Sequence, residues 1–163
     1  MPDELYDRDV LAWSEHQADL LRRLARGERV NDVDWLHVVE EIEDVGLSQL
    51  NSVQSYLRQM LVHLLKGHGW PDHVSVPHWR EKIAAFQAEA AQRFAPSMRQ
   101  RIDLDRLYAR ALRQLTVADY GRPPQLSPIE GLLTGDQLLN DDVATLEARL
   151  GAPHHTISDE PLQ

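Results

Sequence analysis

The chain has 163 residues, no cysteine and a formal net charge of −9 at pH 7. The absence of cysteine excludes disulfides, thiolate catalysis and cysteine-ligated metal sites, and it fits the reducing cytoplasm, where we expect the protein to act. No apolar run approaches the roughly 20 residues of a membrane span, so we expect no membrane partner.

Charge is distributed unevenly along the chain. Residues 1–50 carry 13 acids and 5 bases, residues 51–122 carry 6 and 11, and residues 123–163 carry 7 and 1. This segregation favours packed helices that neutralise one another across their exposed rims. The alternative is a basic middle region that contacts nucleic acid, which the overall acidic surface would oppose at long range.

The first fifty residues have apolar side chains every three or four positions, which predicts amphipathic helices. A first helix is predicted from about Asp9 to Gly27. Asn31, Asp32 and Asp34 offer side-chain acceptors for the free amides of a second helix, which ends or bends at Gly46. The second helix is predicted to pack into the core through Trp35, Val38, Val39, Ile42 and Val45.

A third helix is predicted from about Ser48 to Lys66, and it carries the longest apolar stripe in the chain. We expect it to be the structural centre. The stripe consists of Leu50, Val53, Leu57, Met60, Leu61, Leu64 and Leu65.

The rest of the chain predicts two more main helices, from Pro77 to the residues before Pro96 and from Leu104 to Gly121. One or two short helices follow, the first opening at Gly135. The predicted fold class is therefore all-α: a single helical bundle of about five main helices plus one or two short C-terminal ones. It forms one domain over residues 1–150, followed by a polar, frayed tail over 151–163.

Acidic residues of the second predicted helix are the first candidate site. Glu43 lies at the edge of the apolar stripe, and we expect it to be half-buried and paired with a cation or a free amide. A metal site would combine Glu40 or Glu43 with His63. Helical-bundle metal sites use a glutamate followed three residues later by a histidine, and that spacing is absent here. We therefore favour no metal and no cofactor.

Three arginines are the second candidate site. Arg106, Arg110 and Arg113 align on one side of the fifth helix, opposite its apolar face. We expect them to face solvent or an acidic helical partner, with nucleic-acid contact as the alternative. Phosphate-binding loops, glycine-flanked nucleophilic serines and paired-histidine zinc motifs are absent from the sequence. Catalytic residues stay unknown, and we expect a protein that is not an enzyme.

An ordered set of short segments resembles a known bacterial family. These segments are Trp13, Glu40-Glu41-Ile42-Glu43, Gly46, His63-Leu64-Leu65-Lys66 and Trp79. They resemble the family of unknown function numbered twenty-nine, and the likeness extends from about Tyr6 to Asp142. The resemblance implies an all-helical fold and carries no functional residue. It says nothing about residues 143–163.

The leading functional hypothesis is a small non-enzymatic helical protein that acts through protein–protein contacts, including contacts with a second copy of itself. A nucleic-acid-associated factor that uses the basic middle helices is the first alternative. A metal-dependent helical-bundle enzyme is the second.

Overall fold

The computed structural model describes residues 2–124 and 133–151. Within these ranges the protein is all-α, as predicted, with seven α-helices, one 3-10 turn and no strand. None of the described helices is long and apolar enough to cross a membrane. The helices are α1 (Pro2–Arg8), α2 (Val10–Ala25), α3 (Trp35–Gly69), α4 (Val76–Arg93), α5 (Leu104–Leu115), α6 (Gly135–Asn140) and α7 (Val143–Gly151), with the 3-10 turn at Pro96–Met98.

Helix α3 is one 35-residue element where the sequence predicts two helices. The sequence predicts that a helix ends or bends at Gly46, and it does not end there, because α3 continues to Gly69. Among the described glycines, only Gly27 and Gly121 have the positive φ that turns a chain out of a helix. A glycine within a helix lowers the stability of the helix by only about 1 kcal/mol relative to alanine. The hydrogen bonds and packing of the neighbouring turns are enough to keep the helix continuous.

The chain divides into two compact units, Met1–Ser48 and Gln49–Gln163, and their boundary falls within α3. A single domain over residues 1–150 stays a prediction. The predicted frayed tail lies outside the described residues, apart from Gly151, which ends α7.

The second unit contains the main hydrophobic core. The predicted stripe of α3 is buried along its whole length, from Leu50 at 8% exposed to Leu65 at 0%. Side chains of α4, α5, α6 and α7 form one buried cluster with it. The amide of Gln87 donates to the carbonyl oxygens of Leu138 (2.8 Å) and Asp141 (2.7 Å), which ties α4 to the end of α6. The prediction that the helix from Ser48 to Lys66, now the second half of α3, lies at the centre of the core is confirmed.

The first unit consists of α1, α2 and the beginning of α3. Helix α2 ends at Ala25, and the chain turns away at Gly27, whose φ of 83° is available to glycine without a steric penalty. Few of its side chains are fully buried: Trp13, Gln17, Leu20, Asp34 and Val38.

Candidate functional site

Helix α3 begins at a buried carboxylate. Asp34 Oδ2 accepts a hydrogen bond from the Trp13 indole N–H at 3.0 Å and another from His37 Nδ1 at 2.7 Å. The Asp34 backbone N–H donates to Gln17 Oε1 at 2.9 Å. Burial alone would raise the pKa of Asp34, but the hydrogen bonds from His37 and Trp13 outweigh it and hold that pKa below its ordinary value.

Tyr6 of α1 completes this cluster. Its ring stacks on His37 with 3.9 Å between centroids and meets the Trp13 ring edge-on at 4.9 Å. Its hydroxyl donates to Glu41 Oε1 at 2.6 Å. This hydrogen bond, together with nearby carboxylates, raises the pKa of Tyr6 to about 12. The polar groups of the cluster bind one another, so they fix how α3 packs on α1 and α2.

Exposed apolar side chains are concentrated in the first unit. Ten large apolar side chains are exposed among the described residues, and eight of them lie between residues 10 and 47. Six of those eight are on α3, and we call this set the apolar face. Its members are Trp35, Leu36, Val39, Ile42, Val45 and Leu47.

The geometry of an α-helix makes the centre of this face contiguous. Trp35, Val39 and Ile42 lie within about 60° of one another around the helix axis, at 3.6 residues per turn. Their exposed fractions are 57%, 51% and 66%. Every residue from 42 to 48 is exposed, so two turns of α3 have little tertiary cover.

The predicted packing of this stripe into the core is therefore wrong for four of its five residues. Only Val38 is buried, at 7% exposed. The reason is that α1 and α2 contact another side of α3, the one that carries Asp34, His37 and Glu41. The apolar periodicity is present, but the first unit covers only one edge of it.

Glu43 lies inside the apolar face. Around the helix it falls between Val39 and Leu47, one turn from each. It is exposed, and it forms no hydrogen bond or ion pair with any described residue. The prediction of a half-buried, internally paired carboxylate is therefore wrong. Exposure also explains why this carboxylate needs no partner inside the chain.

The residues of the metal hypothesis are divided between the two units of the chain. Glu40 and Glu43 are exposed on α3 in the first unit, and His63 belongs to the second unit. No group of three or more histidine, aspartate or glutamate side chains in the described part of the chain is placed to hold a metal ion.

His63 has structural contacts. Its Nδ1–H donates to the carbonyl oxygen of Gln59 at 2.8 Å, and its ring lies 5.6 Å from that of Phe86. Burial lowers the pKa of His63, and nearby cations such as Lys66 act in the same direction. The imidazole therefore bonds the preceding turn of its own helix, α3.

The arginine row is exposed as predicted. Arg106, Arg110 and Arg113 are all solvent-accessible, while Leu107 and Ala111 on the opposite side of α5 are buried. None of the three arginines forms an ion pair within the described ranges. Their guanidinium groups are therefore available to an external acidic group.

The second unit also contains a cavity of about 210 Å³. Its lining is mostly apolar and includes Leu57, Phe94 and Leu139. Its polar residues Arg99 and Asp136 form an ion pair with each other at 2.8 Å. Separately, the buried Tyr108 hydroxyl has no hydrogen-bond partner among the described residues, and burial raises the pKa of Tyr108 to about 12. Neither feature brings together two groups that could exchange a proton.

The sequence offers Asn31, Asp32 and Asp34 alike as capping acceptors, and the structure shows that Asp34 accepts from the His37 backbone N–H. The side-chain partners of Asp34, Trp13 and His37, were not predicted. Trp13 is 21 positions away, and a contact at that separation leaves no periodic signal. The exposure of the apolar face was also missed, since its spacing is the same as that of a buried stripe.

Residues 5–144 match the family model described as "Domain of unknown function DUF29". The chain belongs to this family. The DUF29 chain is also similar to a crystal structure, at 1.45 Å resolution, of an α-helical protein of unknown function from Rhodospirillum rubrum. The two are 30% identical with a TM-score of 0.61, over 90% of this chain and 98% of the other. No curated protein matches the chain.

Proposed function

We propose that this DUF29 protein is a non-enzymatic helical interaction module that binds a protein partner through the apolar face of α3. The observation that carries this proposal is the exposure of that face. Trp35, Val39, Ile42 and Val45 have the spacing of a buried stripe, yet each is more than half exposed.

Covering such a face is favourable. Removing apolar surface from water contributes roughly 25 cal/mol per Å². Single exposed apolar residues are normal on a protein surface, but contiguous patches are typical of interaction sites. Trp35 adds a large, rigid ring of the kind that dominates binding energy at interfaces.

The first unit also supports a preformed surface. The Asp34 carboxylate, the Trp13 indole and the His37 imidazole hold the beginning of α3 in one arrangement. A rigid helix loses less conformational entropy on binding than a flexible segment does. The same hydrogen bonds occupy the polar groups that a catalytic role would need, which supports a binding function. The lack of cysteine in the sequence fits action in the cytoplasm.

The test is affinity capture with three tagged proteins: wild type, a Val39→Asp/Ile42→Asp double variant, and a Val74→Asp control. Val74 is 88% exposed and lies outside the apolar face. We expect wild type and control to retain the same protein, or a second copy of the chain, and the double variant to lose it. The complex must then be reconstituted from purified components. Identical partners for all three proteins would contradict the proposal, provided that circular dichroism shows equal helical content.

Nucleic-acid binding is a second candidate, favoured by one observation. Arg106, Arg110 and Arg113 form an exposed row that makes no ion pair within the described ranges. Phosphate contacts by arginine supply sequence-independent affinity that falls steeply with salt. The formal charge of −9 opposes such binding at long range, so it ranks second.

A further inference from the structure

Resting on the proposed function, we infer that the apolar face of α3 binds a basic amphipathic helix of another protein. The partner helix has its own apolar stripe, with lysine or arginine beside it. Three features of the described residues lead to this class of partner.

The first feature is the charge around the face. No lysine or arginine occurs between Arg29 and Arg58, while six acidic residues lie in that interval. Glu40, Glu43 and Asp44 are exposed on the same two turns of α3 as Ile42. On α3 itself, the residues beside the face therefore include carboxylates and no lysine or arginine. Charge complementarity of this kind selects partners and accelerates their association.

The second feature is the position of Glu43 inside the face. A partner that covers Val39 and Leu47 also removes water from the carboxylate between them. Burial of an unpaired carboxylate is strongly unfavourable. An apolar partner without charge would leave Glu43 unpaired, so the partner must place a cation opposite it. Arginine or lysine next to an apolar stripe meets this requirement.

The third feature is Gly46, which lies on the same side of α3 as Trp35 and Ile42. A Cβ atom built at Gly46 would have no atom within 4 Å, so the space above it is open. A large side chain of a partner helix can approach the backbone there. An amphipathic helix laid against an apolar helix face, with contacts at i, i+4 and i+7, is a recurrent mode of recognition.

A second copy of this chain fits the surface less well. In a two-fold symmetric pair the patch contacts the same patch of the other copy. The carboxylates of Glu40, Glu43 and Asp44 would then lie close to those of the other copy, and this part of α3 has no lysine or arginine to pair with them. The arginine row of a second copy supplies charge. The apolar side of α5, which includes Leu107 and Ala111, is however already buried in the core of its own chain. It therefore offers no free apolar stripe next to its cations.

The probe for this inference is a synthetic 18-residue helical peptide of leucine and lysine with all leucines on one face. Two comparison peptides are needed: one with every lysine replaced by glutamate, and one with the leucine–lysine order scrambled. Binding is measured by fluorescence anisotropy of labelled peptide with the full chain. The protein variants are Glu43→Lys and a matched control, Glu81→Lys, at an exposed position of α4.

We expect the leucine–lysine peptide to bind wild type at least about tenfold more tightly than either comparison peptide. Glu43→Lys should weaken its binding by about tenfold and improve binding of the glutamate peptide, because the charge opposite the partner is reversed. Glu81→Lys should have a much smaller effect on both.

Equal effects of the two charge reversals, or equal binding of the lysine and glutamate peptides, would overturn the inference. Self-association of wild type that Val39→Asp/Ile42→Asp abolishes, without any peptide binding, would also overturn it and leave the proposed function standing. Unchanged peptide binding by that double variant would contradict both, because binding would then not involve the apolar face.

Discussion

Helix α3 carries apolar side chains at helical spacing in both halves, but only the second half is covered. Between Leu50 and Leu65 the stripe is at most 8% exposed, whereas Trp35, Val39, Ile42 and Val45 are each more than 50% exposed. The second half lies in a cluster with four other helices. In the first half, α1 and α2 contact the side that carries Asp34 and His37.

The difference shows that one sequence pattern can serve two purposes. Burial of the second stripe stabilises the fold, because each buried leucine contributes roughly 1.5 to 3 kcal/mol relative to exposure. The first stripe contributes little of that energy in the free chain, and it can contribute on binding. Periodicity identifies a face that needs apolar cover, and it does not identify what supplies the cover.

Leucine-to-alanine substitutions in the two halves of α3 should give the largest difference in the free energy of unfolding. Leu61→Ala in the buried stripe should lower the free energy of unfolding by roughly 2 to 5 kcal/mol, because it leaves a cavity in the core. Leu36→Ala, at a position that is 73% exposed, should change it by less than about 0.5 kcal/mol. Chemical denaturation measures both. Similar losses for the two variants would mean that the halves do not differ in burial.

Removal of the Asp34 carboxylate should weaken the anchorage of the first half. Asp34→Ala should cost roughly 2 to 4 kcal/mol, because α3 loses its cap and the Trp13 N–H loses its buried acceptor. The matched control is Asp9→Ala, which removes only an exposed cap of α2 and should cost about 1 kcal/mol. Equal costs would show that the buried hydrogen bonds add nothing.

The Asp34 carboxylate should also make the free energy of unfolding depend on pH in the acid range. Its pKa in the folded protein is below the ordinary 3.8, so its stabilisation is complete above that pH and is lost as the pH falls through the lower, folded value. The free energies of unfolding of wild type and Asp34→Ala, measured by chemical denaturation, should therefore approach each other as the pH falls below 3.8. A constant difference from pH 7 to pH 2 would be inconsistent with this assignment.

Glycine substitutions should distinguish a continuous α3 from one broken at Gly46. Gly46→Ala should raise the free energy of unfolding by about 0.5 to 1 kcal/mol, because the backbone is helical and the added methyl group meets nothing within 4 Å. Gly27→Ala should instead lower it by about 1 kcal/mol, since φ is 83° there. Destabilisation by Gly46→Ala would indicate a break in the helix of the free protein.

The smallest effect on stability is expected at the arginine row in the second unit. Replacement of Arg106, Arg110 and Arg113 by glutamine should leave the helical content and the thermal midpoint nearly unchanged, because all three side chains are exposed. Binding to the leucine–lysine peptide should also stay the same, since the row lies outside the apolar face. Tight DNA or RNA binding by wild type that this variant loses would instead favour the nucleic-acid candidate.

Much of the fold could be predicted from sequence. The buried stripe of the second half of α3 followed from its spacing. The approximate start of α3 followed from the three capping candidates Asn31, Asp32 and Asp34, of which Asp34 is the acceptor in the structure. The expected break at Gly46 was wrong because a single glycine weakens a helix by less than the surrounding turns stabilise it. The candidate site was harder to predict, since Glu43 was expected to be paired inside the chain and is exposed instead.

The sequence by itself determined the all-helical class, the face of each main helix that is apolar, and the acidic character of the first fifty residues. These properties depend on residue type and on spacing along one helix. Only the tertiary structure decided which apolar faces are covered, because cover depends on contacts between residues far apart in sequence, such as Trp13 and Asp34. For this reason the buried core at Leu61 and the exposed face at Ile42 became distinguishable only in the folded chain.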